Sequence, residues 1–197
     1  MIVAPTGQRK LDPLAAFLSY LLPGLGQIIQ GRIGKGVLYF VCLYGLFFYG
    51  LALGSWKNVW LGDYSLQTDV QVVGKKMPST LKDLSYRREF AGQFWIGIAA
   101  WPALVQYQTT EPLPRSEDPN KESWKAKPNT IFGEYMQTPA ESSLNKLQRD
   151  GDKHWDLGWV FTVIAGVLNI LVIYDALAGP MVREEDEPAR KSTRGAG

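Results

Sequence analysis

Four stretches of the chain carry no Asp, Glu, Lys or Arg: residues 13–31, 36–56, 90–110 and 157–174, of 19, 21, 21 and 18 residues. A helix needs roughly 20 mostly apolar residues to cross a hydrocarbon core of about 30 Å. A water-soluble protein can hide one such run as a core helix. Four within 197 residues exceed what a soluble core of that size can bury. The pattern predicts an all-α membrane protein with four transmembrane helices and two polar inter-helix regions. The expected order is an N-terminal hairpin over 1–56, a polar loop over 57–89, a third span over 90–110, a second polar loop over 111–156, a fourth span over 157–179 and a disordered tail over 180–197. The mean hydropathy of −0.11 hides this division, because the charges crowd between the runs.

The runs differ in continuity. Residues 37–53, VLYFVCLYGLFFYGLAL, contain no strong breaker, and 157–174 is nearly as uniform. Residues 90–110 contain Gln93, Pro102 and Gln106, which predicts a kinked or short span. The first run contains Leu22-Pro23-Gly24-Leu25-Gly26-Gln27, where proline removes a backbone donor and two glycines loosen the chain. Such a break needs cover from neighbouring helices in lipid. A kinked span is expected there, with a re-entrant segment as the alternative. Arg9-Lys10, Leu14–Leu22 and Gly24-x-Gly26 also fit a cleaved secretory signal. The next run starts only ten residues after Gly26, across Gly31-Arg32-Ile33-Gly34-Lys35-Gly36, which favours a hairpin.

In the polar regions, Leu66, Thr68, Val70 and Val72 alternate with Ser65, Gln67, Asp69 and Gln71, which predicts a short strand or hairpin. Thr80 with Asp83 three residues on is a helix-start signal, from which a juxtamembrane helix runs into the third span. Pro112, Pro114, Pro119 and Pro128 predict an irregular loop. Thr138-Pro139-Ala140-Glu141 offers a threonine cap, a proline at the first helical position and a glutamate at the third, predicting a short amphipathic helix closed by Gly151.

The balance of charge excludes one large class. With 21 Lys+Arg against 19 Asp+Glu the formal charge is +2, far from the basic excess of a nucleic-acid binder, so no nucleic acid is expected as a partner. One cysteine excludes an intrachain disulfide framework and a CxxC zinc site, and one histidine excludes a multi-histidine metal site. No cofactor is expected.

The stretch PLAAFLSYLLPGLGQIIQGRIGKGVLYFV resembles the paired spans of the two-transmembrane-helix domain family. The resemblance covers residues 13–53 and implies two short spans around a glycine- and basic-residue turn. It departs from the family at the turn, where Gln27, Gln30 and Arg32 replace the acidic-Arg-aromatic motif. The whole layout, including DLGWVFTVIAGVLNILVIYDALAGP at 156–180, is similar to a bacterial family of polytopic membrane proteins without an established function. That resemblance implies a membrane location and supplies no catalytic residues.

Five positions in the last run stand out. Gly158, Thr162 and Gly166 fall four apart, a small-residue stripe that lets helices approach closely. Asn169 lies deep in the run and suits an interhelical hydrogen bond. Asp175 is read either as a proton or cation relay or, with more weight, as an interfacial residue, since a carboxylate within a bilayer usually faces protein or water. Asp150, Asp152, His154 and Asp156 alternate, but Trp155 and Phe161 stand where a calcium loop needs glycine and glutamate. A solvated loop accounts for them better. Cys42 is expected to be buried and Ser19 has no recognisable partner. Gly31–Gly36 lacks the spacing of a phosphate loop.

These features predict a non-enzymatic scaffold or accessory subunit, with a small oligomeric transporter or channel component using Asp175 as the alternative. Expected partners are the lipid bilayer and other membrane proteins or a second copy. Four spans place both termini on one side, and Arg9-Lys10 with Arg87-Arg88 beside span starts favour the cytoplasm of a bacterial inner membrane. Trp56, Trp60, Trp155 and Trp159 are expected at the membrane–water boundary.

Overall fold

The structure is a computed structural model and describes residues 11–62, 83–84, 87–112, 124–126, 131–149 and 153–179. In chain order the elements are α1 (Pro13–Leu21), α2 (Leu25–Ile29), α3 (Ile33–Leu53), α4 (Arg88–Phe94), a 3-10 turn (Gly97–Ala100), α5 (Trp101–Tyr107), β1 (Thr110–Pro112), β2 (Trp124–Ala126), α6 (Glu141–Arg149) and α7 (Lys153–Ala178). The fold is mostly helical. The expected strand over 65–73, the helix start at Thr80, the residues Asp150 and Asp152, and the tail lie outside the described residues.

Two of the four apolar runs form single helices, α3 of 21 residues and α7 of 26, each long and apolar enough to cross a membrane. They pack antiparallel. Gly50 meets Gly158 near one end, where a Cβ on Gly158 would stand 2.5 Å from the Gly50 carbonyl. Lys35 meets Asp175 at the other end.

The first run corrects the expectation of a kinked span. Asp12 starts α1 by accepting the Ala15 N–H, 3.0 Å, with Pro13 in the first helical turn. Nine residues later the helix stops: Leu22 is extended, Pro23 follows, and Gly24 is left-handed at φ 86. Here α2 turns back, and Gln30 Nε2 reaches Asp12 Oδ2 at 3.3 Å. A straight helix would hold residues 18 apart at about 27 Å. The run therefore enters and leaves at the same end of α7, and α2 with α3 does not make the pair of spans that the two-helix resemblance implies.

The third run is also not one helix. It divides into α4, the 3-10 turn and α5. Pro102 is not the cause, because it sits in the first turn of α5, where its missing N–H costs nothing. The break is at Gly97, left-handed at φ 84, whose backbone presses against the Tyr20 carbonyl; a Cβ there would lie 1.9 Å from that oxygen. This run too returns on itself. The Tyr107 hydroxyl donates to Asp83 at 2.5 Å, and the Arg87 N–H bonds the Asp83 carbonyl.

The described parts of both polar regions gather at the α3 C-terminal end. Thr138 Oγ1 donates to the Leu61 carbonyl at 3.0 Å, and Arg87 lies 4.0 Å over the Trp60 ring. Trp60 is thus buried, contrary to its expected boundary position, while Trp56 is exposed. The expected irregular loop contains a short antiparallel ribbon pairing Thr110 with Ala126, so the chain is not purely α. The amphipathic helix forms as α6, but Thr138 does not cap it. Its hydroxyl is held by Leu61 and Thr110, and the helix starts at Glu141.

Candidate functional site: a polar seam along α7

Gly158, Thr162, Gly166 and Asn169 lie on the buried face of α7, and Asp175 is partly buried beyond them. Ala165, Val172 and Ala176 fill the same face. Gly158 receives α3, and Gly166 receives α4, where a Cβ would lie 2.0 Å from the Gly92 carbonyl. The polar members form a hydrogen-bonded seam that joins both folded-back runs to α7.

At one end the seam is a charged clasp. Asp175 Oδ1 accepts from Lys35 Nζ at 2.6 Å and from Arg32 Nη2 at 3.0 Å. Asp175 Oδ2 accepts from Arg32 Nη2 at 2.7 Å and from Gln27 Nε2 at 3.1 Å. Arg32 and Lys35 come from the tight turn into α3, so the clasp ties that turn to the C-terminal end of α7. The side chains are 19%, 39% and 28% exposed for Arg32, Lys35 and Asp175, so solvent screens part of the attraction. Behind the clasp, Gln27 is fully buried. Its amide donates to the Val172 carbonyl at 2.8 Å and accepts from the Ser19 hydroxyl at 3.0 Å. Ser19 in turn accepts the Gly26 N–H at 3.1 Å, which pins α2 against α1. Gln30 donates to the Ala176 carbonyl at 2.7 Å.

Halfway along stands Asn169. Its Nδ2 donates to the Ser19 carbonyl at 3.2 Å and to the Trp95 carbonyl at 2.8 Å, bridging both runs at their breaks. Ser19 needs this donor because Pro23, its helical i+4 partner, has no N–H. Past Gly166, Gln93 Nε2 donates to Thr162 Oγ1 at 2.8 Å and to the Asn58 carbonyl at 3.1 Å. Asn58 Nδ2 closes the seam on the Gly50 carbonyl at 3.0 Å. From Gly158 to Asp175 the seam follows about 26 Å of helix.

Gln27, Arg32, Lys35, Asn58 and Ser19 were not singled out as site residues by the sequence. The signal for Ser19 was the proline four residues later. For Gln27 it was an amide inside an apolar run. Asn58 follows α3 in a polar stretch and carried no signal. Cys42, expected to be buried, is exposed on α3 among the outward-facing Leu38 and Val41. His154 and Asp156 are exposed in the first turn of α7. Among the described residues no group of three or more His, Cys, Asp or Glu side chains could hold a metal ion.

The seam, both long helices and, apart from Pro13, both folded-back runs fall within residues 14–189, which match one known family throughout. The chain belongs to a family of unknown function (DUF6677). No curated protein and no solved structure matches it. Nothing in these comparisons supports the likeness of residues 13–53 to the two-transmembrane-helix domain family.

Proposed function

We propose that the chain is an integral membrane protein with a structural, non-enzymatic role, a scaffold or accessory subunit of a bacterial inner membrane. The observation that carries the membrane reading is exposure. Within the apolar windows of α3 and α7 only 28% and 33% of residues are buried, whereas a soluble core helix is mostly buried. Leu38, Val41, Leu171 and Tyr174 face outward, an arrangement that suits lipid contact. The two folded-back runs then act as re-entrant hairpins entering from opposite faces, their backbone breaks covered by protein as lipid requires. The clasp supports a static role for Asp175, because both its oxygens are already held by Arg32, Lys35 and Gln27.

This path keeps the termini on one side and sets both polar regions on the other, a change from the arrangement that four spans imply. Within about 20 residues of the long helices, the terminal side carries Arg32, Lys35, Arg183, Arg190, Lys191 and Arg194, and the opposite side Lys57, Lys146, Arg149 and Lys153. That bias favours cytoplasmic termini, although Arg87 and Arg88, which support this orientation in a four-span chain, here lie on the opposite side. Arg32 and Lys35, which oppose this orientation in a four-span chain, support it here.

Cys42 offers the direct test of membrane burial. In intact membranes it should react with an apolar thiol reagent and resist a charged one. Equal labelling by the charged reagent, or release of the chain by an alkaline carbonate wash, would refute membrane integration. For the scaffold role, crosslinking in mild detergent should recover a protein partner or a second copy, and a lone monomer under all conditions would contradict it.

A further inference from the structure

The charged clasp stands at one end of an apolar groove. Between α3 and α7 lies a cavity of about 370 Å³, within the range of roughly 300–1,000 Å³ usual for ligand sites. Its floor is the buried Leu43 and Val172, and its walls are the exposed Leu38 and Leu171. The lining side chains are hydrocarbon apart from the Tyr39 hydroxyl and the Cys42 thiol. The groove starts about one helical turn from the clasp, since Lys35 lies four residues before Tyr39 and Asp175 three after Val172. Lys35 Nζ is 5.5 Å from the centre of the Tyr39 ring, a cation set against the groove wall.

The clasp leaves one positive charge over. Arg32 and Lys35 are two cations on the one carboxylate of Asp175. Asp12, the other described acid at this end, is turned to the Ala15 N–H and to Gln30. An ammonium has three N–H donors. One from Lys35 is on Asp175 Oδ1, and the side chain is still 39% exposed, so it has a face open to a second anion.

We propose that the groove binds one anionic phospholipid, with the phosphate on Lys35 and Arg32 and one acyl chain along Leu38, Cys42 and Leu171. This binding presupposes the membrane-embedded chain proposed above. In that reading the clasp faces the cytoplasmic leaflet, which is the anionic one. One surplus cation there is worth about a fivefold preference for an anionic over a zwitterionic lipid. A partner helix, about 10 Å across, could seat only side-chain tips in a groove of this volume, whereas a single acyl chain lies along it.

The test titrates the delipidated, purified full-length protein in detergent with dioleoyl phosphatidylglycerol, dioleoyl phosphatidylcholine or glycerol 3-phosphate, and counts bound lipid by native mass spectrometry. The expected result is one phosphatidylglycerol held about fivefold more tightly than phosphatidylcholine, and no binding of glycerol 3-phosphate. Lys35→Gln should remove the preference. Asp175→Asn breaks the same clasp but adds net positive charge, so it should increase the preference. Cys42→Trp should fill the groove and abolish retention, while Val41→Trp, at an exposed neighbour that does not line it, should not. Equal binding of the two lipids, binding of glycerol 3-phosphate alone, a preference that survives Lys35→Gln, or retention unchanged by Cys42→Trp would each overturn the proposal. So would a preference lost in Asp175→Asn, which would make the intact clasp, not its surplus charge, the determinant. If a variant does not fold, the unaltered protein decides: a preference that disappears at high salt supports the site, and equal affinities at low salt remove it. Release by the carbonate wash refutes membrane integration, whereas a chain that stays in the membrane and lacks the preference refutes the lipid site alone.

Discussion

Residues 13–31 and residues 88–107 both fold back on themselves, but different chemistry closes them. The first closes at a partly exposed end of α7 with charges: Arg32 and Lys35 on Asp175, and Gln30 on Asp12. The second is held to its neighbours mainly by uncharged groups in the interior, Gln93 on Thr162 and Asn58, Gln106 on the Gly133 and Tyr135 carbonyls at 2.9 Å, and Gly92 against Gly166, with Tyr107 on the buried Asp83 at its mouth. The difference teaches where stability resides. Exposed ion pairs are screened and individually weak, whereas a buried carbonyl deprived of its donor bears the full cost of desolvation. The interior hairpin should therefore be the more sensitive of the two, although no ion pair like that of the clasp holds it to α7.

Packing gives the strongest way to break that comparison. Gly166→Leu pushes α4 off α7, because even a Cβ collides with the Gly92 carbonyl, and should cost about 3 kcal/mol. Reversible unfolding in detergent measures it. The second hairpin should loosen first, seen as faster amide exchange over 88–107 than over 13–31. Asn169→Leu removes the donor from two carbonyls at once and should cost about 2–4 kcal/mol, affecting both runs. Asp175→Asn should cost only about 1 kcal/mol, and that cost should shrink in high salt. If the clasp variant proves more damaging than Asn169→Leu, the ranking of the two hairpins is reversed.

The smallest effect concerns pH at the interior end. Burial raises the Tyr135 phenol above its ordinary value of 10.0. The folded chain thus keeps a proton that the unfolded chain releases, so this contribution is present below pH 10 and is lost as pH rises beyond it. Tyr135→Phe should flatten the alkaline limb of the stability curve without changing the neutral plateau. A limb unchanged by the substitution would place its cause elsewhere.

The two uninterrupted helices were legible because nothing inside residues 36–56 or 157–174 opposes a helix. The Gly158, Thr162 and Gly166 stripe was legible for the same reason: one period of 3.6 places all three on one face. The broken runs were only half legible. Leu22-Pro23-Gly24 marked a break, but whether a chain kinks or reverses depends on what its far end meets, here Gln30 with Asp12 and Asp175 with the following turn. Pro102 drew attention away from Gly97, whose left-handed φ is set by contact with Tyr20, a residue 77 positions earlier. Charge-free length showed apolarity but not direction, and so two hairpins passed for two spans. Asn58 and Gln27 became site residues only through partners distant in sequence.

Reversal of the first run is the claim on which the clasp, the Ser19 and Gln27 part of the seam and the shared side of the termini all depend. Leu11 and Ile29 are exposed and 18 residues apart. Spin labels at these two positions in a Cys42→Ser background report whether the run's ends meet, by dipolar broadening or pulsed electron resonance. The folded-back path predicts strong short-range coupling, well inside the roughly 27 Å of a continuous helix. A distance at or beyond that value would show residues 13–31 to be a span and would contradict the account.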